Sequence, residues 1–326
     1  MQCHRNKHSF TARCFFLTVN GYIERLPMAK RHESVFFVSI MMIKQALVEA
    51  IQAKKSYLCV GLDTDPNRLP APLKGQTNGV VAFNKAIIDA TKDYCVSYKI
   101  NTAFYEAQGL KGWQAMEETL HYIPKTHFTI ADAKRGDIGN TSAQYAKTFF
   151  ETLPFDAVTV APYMGEDSVR PFLEYDNKVT IVLGLTSNKG ANDFQHLHVS
   201  GVTEEDRLIP QLVQPNRKQT LFDTVIEKVA SWGTTNNLMF VVGATQASML
   251  AHIRTIIPEH FLLVPGVGFQ GGSLEQVTMY GKNKEVGLLV NVSRAIQYAS
   301  EGDDFATEAA AIAKQYQFEM ASYMAS

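Results

Sequence analysis

Cysteine is scarce: four in 326 residues, Cys3, Cys14, Cys59 and Cys95, with no C-x-x-C spacing and no disulfide framework. This argues against a disulfide-stapled fold and points to a reducing, cytoplasmic setting. Histidine and cysteine nowhere cluster at zinc spacing, and His196 and His198 fall in a polar stretch where they read as solvated. The apolar runs of the front segment, FFLTV at 15–19 and VFFVSIMMI at 35–43, fall short of the about 20 residues that cross a bilayer. No G-x-S-x-G elbow supports Ser-His-Asp chemistry. Nor is there an excess of charge: the formal net charge is -1, with 19% charged residues, so bulk attraction to nucleic acid or an acidic membrane is not implied.

Charge is nonetheless uneven. Residues 1–33 carry Arg5, Lys7, Arg13, Arg25, Lys30 and Arg31 against Glu24 and Glu33, net +4, which leaves -5 for the remainder. This segment shows no helical or strand period, and no small-residue cleavage pattern follows it cleanly. It reads as a leader over 1–40, disordered or not native, with a single domain over 41–326.

From residue 43 the chain alternates between two periods. Ile43, Leu47, Ala50 and Ile51 form the stripe of an amphipathic helix. Eight short β-rich runs follow, at 57–63, 96–100, 127–132, 156–161, 179–186, 238–245, 261–268 and 286–293. Helical patterns lie between most of them, at 81–93, 111–123, 142–152, 221–233 and 246–257. Runs that are apolar on both faces and alternate with helices imply a parallel sheet. Eight units in this length predict an α/β fold of the (β/α)8, or TIM barrel, type. An open doubly wound sheet is the alternative, disfavoured because GLDTDP, and not G-x-G-x-x-G, follows the first run. Residues 188–217 are polar and irregular and read as a long loop over the barrel mouth.

Barrel chemistry sits at the carboxyl ends of strands, and polar residues collect there: Asp63 and Asp65, Lys99 and Asn101, Asp132 and Lys134, Thr186 and Ser187, a glycine-rich loop with Gln270, then Ser293 and Arg294. Taken alone, the four charges of IADAKRGDIGNT (130–141) describe a solvated turn. At a strand end they acquire geometry: Asp132 and Lys134, two apart, face the barrel axis while Arg135 turns away. Lys99 comes from the adjacent strand. Alternating signs hold one another ionised, so Lys134 is expected to stay cationic despite desolvation and to act as a proton donor, not a nucleophile. The loop PGVGFQGG (265–272) and Arg294 follow strands 7 and 8, where barrels bind phosphate. Asp63, Asp65 and Asp132 could make an oxygen site for Mg²⁺, but Lys99 and Lys134 occupy and repel the same space.

The motifs DAKRGDIG (132–139), KINTAFYE (99–106), GLDTDP (61–66) and PGVGFQGG occur together and in order. From about residue 43 onward the chain resembles the orotidine 5'-phosphate decarboxylase family, most of all its bacterial branch. The resemblance implies decarboxylation of orotidine 5'-monophosphate to UMP and CO2, the final step of pyrimidine nucleotide synthesis, without cofactor or metal. It implies that Lys134 protonates C6, that Asp132 stands beside the departing carboxylate, and that Lys99 bridges Asp132 to the ribose region. Asp137 and Thr141 would enter the neighbouring subunit's site in a homodimer. Asp63 would accept a ribose hydroxyl, Ser187 would read the pyrimidine amide edge with Thr186 beside it as the alternative, and Gln270 and Arg294 would grip the phosphate.

Related barrels share D-x-K-x-x-D but act on sugar phosphates with Mg²⁺. They need a carboxylate where Lys99 stands. A nucleotide-binding protein without catalysis would be expected to lack one of the four charges, and none is missing.

Overall fold

The computed structural model describes residues 43–199, 219–268 and 271–325. The leader expected over 1–40, part of the mouth segment and Gln270 lie outside the described residues. All eight β-rich runs form strands: β1 Leu58–Gly61, β2 Ser97–Asn101, β3 Phe128–Arg135, β4 Ala157–Val160, β5 Val179–Leu185, β6 Leu238–Val242, β7 Leu262–Pro265 and β8 Leu288–Val292. Each pairs in parallel with its chain neighbours, and β1 closes on β8 through Leu58 with Val290, Cys59 with Asn291 and Val60 with Val292. The result is a closed (β/α)8 barrel. Its strands are apolar on both sides because helices cover the outer face while inward side chains fill the interior. Every residue of β1, β4, β6 and β8 is buried.

Helices follow the expected stripes. In α1 (43–54) Leu47 and Ile51 are buried, with Ile43 and Ala50 packed at the edge of the core. Next come α2 Gly79–Thr91, α3 Thr102–Glu106, α4 Leu110–Tyr122, α5 Gly139–Lys147, α6 Glu166–Leu173, α7 Ala191–Phe194, α8 Leu221–Ala230, α9 Ala247–Ile256, α10 Leu274–Gly281, α11 Arg294–Gln297 and α12 Phe305–Ala325. Of the helices that escape the periodic reading, three show why. Pro171 interrupts α6, although Val169, Phe172 and Leu173 are still buried. The short α10 offers only two turns of pattern. In α12 the residues facing the core include Ala309 and Ala313, whose small side chains give little hydropathy contrast. The pattern at 142–152 divides into α5 and a single π-type turn over Thr148–Thr152.

Between β3 and β4 the register slips. Ala131 lies opposite Val158, yet Arg135 lies opposite Val160, so β3 carries two more residues than its partner in that interval. Lys134 sits inside this bulge with φ +48°, in the left-handed region that a non-glycine residue enters at a cost.

Candidate active site

Parallel register sets the site. Gly61 pairs with Lys99, and Asn101 with Asp132, so the carboxyl ends of β1, β2 and β3 present their side chains side by side. Lys99 Nζ donates to Asp63 Oδ1 at 3.1 Å and to Asp132 Oδ2 at 3.0 Å. On the far side of Asp132, Lys134 Nζ donates to Oδ1 at 2.5 Å. The four groups expected to converge therefore form one row of alternating sign: Asp63, Lys99, Asp132, Lys134.

Burial by itself would drive the proton off Lys99, which is 3% exposed. The Asp132 and Asp63 carboxylates overcome that penalty and hold its pKa above the ordinary lysine value. Asp132 shows the converse: desolvation pushes its carboxyl up, but Lys99 and Lys134 together hold it well below the usual carboxylate range. One expectation needs correcting. Lys134 is not the desolvated member of the row, since its side chain is 49% exposed; that place belongs to Lys99. The reason is topological, because Lys99 lies within β2 while Lys134 stands on the bulge at the rim.

Thr159 secures that bulge. Its Oγ1 accepts the Lys134 N–H at 2.9 Å and donates to Asp132 Oδ1 at 3.0 Å. It is fully buried in β4, and the sequence reading passed it over. Arg135 turns away as expected: its guanidinium pairs with Glu106 and lies over the rings of Tyr145 and Phe149 at 5.3 and 5.4 Å.

Asp63, Lys99 and Asp132 share a cleft of about 190 Å³ with Gly266 and Val267 after β7, and with Asn291, Ser293 and Arg294 at the end of β8. Gly266 and Gly268 adopt φ of +98° and +75°, a conformation that lets the backbone fold tightly against the cleft. Asn291 lines the cleft, and the sequence reading left it out. Neither it nor Thr159 carries a signal in the sequence beyond being a polar residue within an otherwise apolar run. A second cavity, of about 140 Å³, is lined by α1, His127 and Asp156 near the amino ends of β3 and β4, and it contains none of the expected site residues.

At the end of β5 the two candidate hydroxyls differ. Thr186 Oγ1 donates to Asn188 Oδ1 at 2.6 Å and accepts from Gln195 Nε2 at 2.9 Å. Ser187 Oγ is buried and finds no hydrogen-bond partner among the described residues. Ser187 packs directly on Gly243, where a Cβ would come within 2.0 Å of its Oγ. Asp137 and Thr141 do not line the cleft of their own chain. Asp137 Oδ1 accepts the Ile138 N–H at 2.8 Å, and Thr141 is exposed.

Comparison with known proteins gives one consistent result. The model of the orotidine 5'-phosphate decarboxylase / HUMPS family matches residues 56–310. A Phocaeicola vulgatus protein named orotidine 5'-phosphate decarboxylase is 54% identical over 286 residues, covering 87% of this chain and 99% of that one. A protein of the same name from Christiangramia forsetii is 55% identical over 284 residues, covering 86% and 98%. Among solved structures, the Leishmania donovani OMP decarboxylase is 34% identical, with a TM-score of 0.68 over 85% of this chain and 98% of that chain.

Proposed function

The chain belongs to the orotidine 5'-phosphate decarboxylase / HUMPS family, and we propose how its barrel mouth divides the work of decarboxylating orotidine 5'-monophosphate among named residues. That reaction, yielding UMP and CO2 in the last step of UMP biosynthesis, is the activity of the chain, a carboxy-lyase. The observation that supports the division of labour is the row Asp63, Lys99, Asp132, Lys134, linked at 3.1, 3.0 and 2.5 Å.

The chemical problem is a carbanion at C6 of the pyrimidine with no conjugated sink for its electrons. A protein meets it with charges fixed in advance at the place where the new charge develops, each such group contributing on the order of 10² to 10³ in rate. Asp132, kept ionised by its two lysines, stands beside the departing carboxylate. As the bond from C6 to that carboxylate breaks, the electron pair stays on C6 and CO2 leaves. Lys134 Nζ then delivers a proton to C6 and is reprotonated from solvent. Lys99, locked between two carboxylates, holds Asp132 and Asp63 in place, and Asp63 accepts a ribose hydroxyl. Lys99 also separates this reaction from the Mg²⁺-dependent sugar-phosphate chemistry of related barrels, since its ammonium fills the space between the carboxylates that a cation would take.

Ser187 is favoured over Thr186 as the reader of the pyrimidine edge, because Thr186 is already engaged by Asn188 and Gln195. Arg294 and the backbone after β7 serve the phosphate, with Gln270 assigned to the same grip. Asp137 and Thr141 serve a partner's site in a homodimer. Exposed large side chains in the connections after three consecutive strands support this: Leu110 between β2 and β3, Ile138 between β3 and β4, and Tyr163 between β4 and β5. A cytoplasmic setting fits Cys59 and Cys95, both free and buried, with thiol pKa values pushed up to about 12 and about 11 by burial. No helix among the described residues is long and apolar enough to cross a membrane.

Following the absorbance of orotidine 5'-monophosphate with the purified protein, with and without EDTA, tests the assignment. Turnover unaffected by EDTA is expected; turnover that EDTA abolishes would contradict the cofactor-free reading.

A further inference from the structure

The loop after β1 carries Asp63, and Arg294 opens α11; three hydrogen bonds tie the two together. The Asp63 N–H donates to Gln297 Oε1 at 3.0 Å, Gln297 Nε2 donates to Thr64 Oγ1 at 2.8 Å, and the Asp65 N–H donates to Tyr298 OH at 2.9 Å. The chain of donors continues inward. Thr64 Oγ1 donates to Asn84 Oδ1 at 2.6 Å, Asn84 Nδ2 donates to Tyr105 OH and Thr119 Oγ1, both at 2.9 Å, and Tyr105 OH donates to Leu62 O at 3.0 Å. Thr64, Asn84, Tyr105, Thr119 and Gln297 all have zero exposure. Buried amides and hydroxyls are costly unless every one is paired, and a fully paired set holds one geometry rather than several. Five polar side chains inside an otherwise apolar layer therefore specify where the loop carrying Asp63 must lie.

We infer that Gln297 is a positioning residue that locks the Asp63 loop to the helix bearing Arg294, so that the carboxylate facing Lys99 and the ribose is held in register with the phosphate end of the site. Gln297 does not touch substrate. It acts through the backbone of Asp63 and the hydroxyl of Thr64, using both ends of one amide. This rests on the assignment of Asp63 as the acceptor for a ribose hydroxyl.

The test compares binding of UMP with binding of its 2'-deoxy and 3'-deoxy analogues by calorimetry. Asp63→Ala first identifies the hydroxyl that Asp63 reads, as the one whose removal no longer matters in that variant. Gln297→Met, similar in volume and unable to bond either partner, is expected to lower the same preference about tenfold, the factor equivalent to one net hydrogen bond. Gln297→Glu keeps the acceptor for the Asp63 N–H and is expected to restore most of the preference. Thr278→Val, which removes a buried hydroxyl bonded to Tyr57, controls for stability: its Tm falls while the preference is unchanged. Should Gln297→Met not fold, Thr64→Val, which removes the acceptor for Gln297 Nε2, carries the same expectation. Full wild-type preference in Gln297→Met or in Thr64→Val would overturn the inference. If Asp63→Ala leaves both preferences intact, the assignment of Asp63 fails and the inference falls with it. Loss of UMP binding by the wild-type protein would instead refute the functional reading.

Discussion

Thr159 donates a hydrogen bond to Asp132 at 3.0 Å from within the neighbouring strand, and the same hydroxyl accepts the backbone N–H of Lys134. One side chain thereby holds both the Asp132 carboxylate and the strained backbone of Lys134, the two residues proposed to flank the departing carboxylate and to donate the proton. Replacing Thr159 with Val keeps the shape and deletes both bonds. The expected outcome is a fall in kcat of about tenfold, the effect of losing one or two hydrogen bonds, with KM little changed. Thr159→Ser should recover most of the loss; an unchanged kcat in the Val variant would remove Thr159 from this role.

Lys134→Ala is expected to lower turnover by at least 10² to 10³, the usual consequence of removing one aimed group, roughly what an oxyanion donor supplies elsewhere. UMP affinity should change little because the residues proposed to hold the phosphate and ribose lie on other strands. Steady-state assays paired with UMP calorimetry check both halves, and near-normal turnover would exclude Lys134 as the donor.

Mixing Lys134→Ala with Asp137→Ala subunits tests the shared site. Each parent has two defective sites, but a heterodimer has one site free of both changes. Random exchange should restore up to about a quarter of wild-type sites. Absence of recovery, with exchange demonstrated by mass spectrometry, would assign Asp137 to its own chain.

The charge row also predicts how stability follows pH. The pKa of Asp132 is lower folded than unfolded, so its contribution is present above the unfolded value of about 3.9 and is lost as pH falls through the folded value. Lys99 has the opposite sign: its contribution is present below about 10.4 and is lost only as pH rises through its raised folded pKa. Urea unfolding of Asp132→Asn should therefore show a shallower loss of stability than wild type between neutral pH and pH of about 3. Parallel curves would mean that the row does not couple to folding.

Gly243→Ala places a methyl group 2.0 Å from Ser187 Oγ and 2.8 Å from its backbone nitrogen, so Ser187 must move. Tm is expected to fall, because the clash reaches the Ser187 backbone, and if Ser187 reads the pyrimidine, KM for orotidine 5'-monophosphate rises severalfold. An unchanged KM in the folded variant would argue against Ser187.

Much of this was legible before any coordinates. The eight strands stand where short apolar runs alternate with helical periods, because burial on both faces favours apolar residues along most of each strand. Helices escaped where alanine dilutes the inward face, as in α12, where a proline falls within the pattern, as in α6, or where there are only two turns of it, as in α10. Asp63, Lys99, Asp132 and Lys134 could be named because each ends a strand or follows one closely. Thr159 and Gln297 could not, since a threonine in a strand and a glutamine in a helix are ordinary residues until a partner is known.

The amino-acid sequence by itself determined the barrel, the residue types at its mouth and the order in which charge alternates around it. These follow from local periodicity and from parallel neighbours being consecutive in the chain. Only the tertiary structure decided which lysine is desolvated, how the β3 bulge aims Lys134, and which of two adjacent hydroxyls has its partners elsewhere. Those outcomes depend on the register between strands and on the packing of residues far apart in the chain, quantities that no single segment encodes.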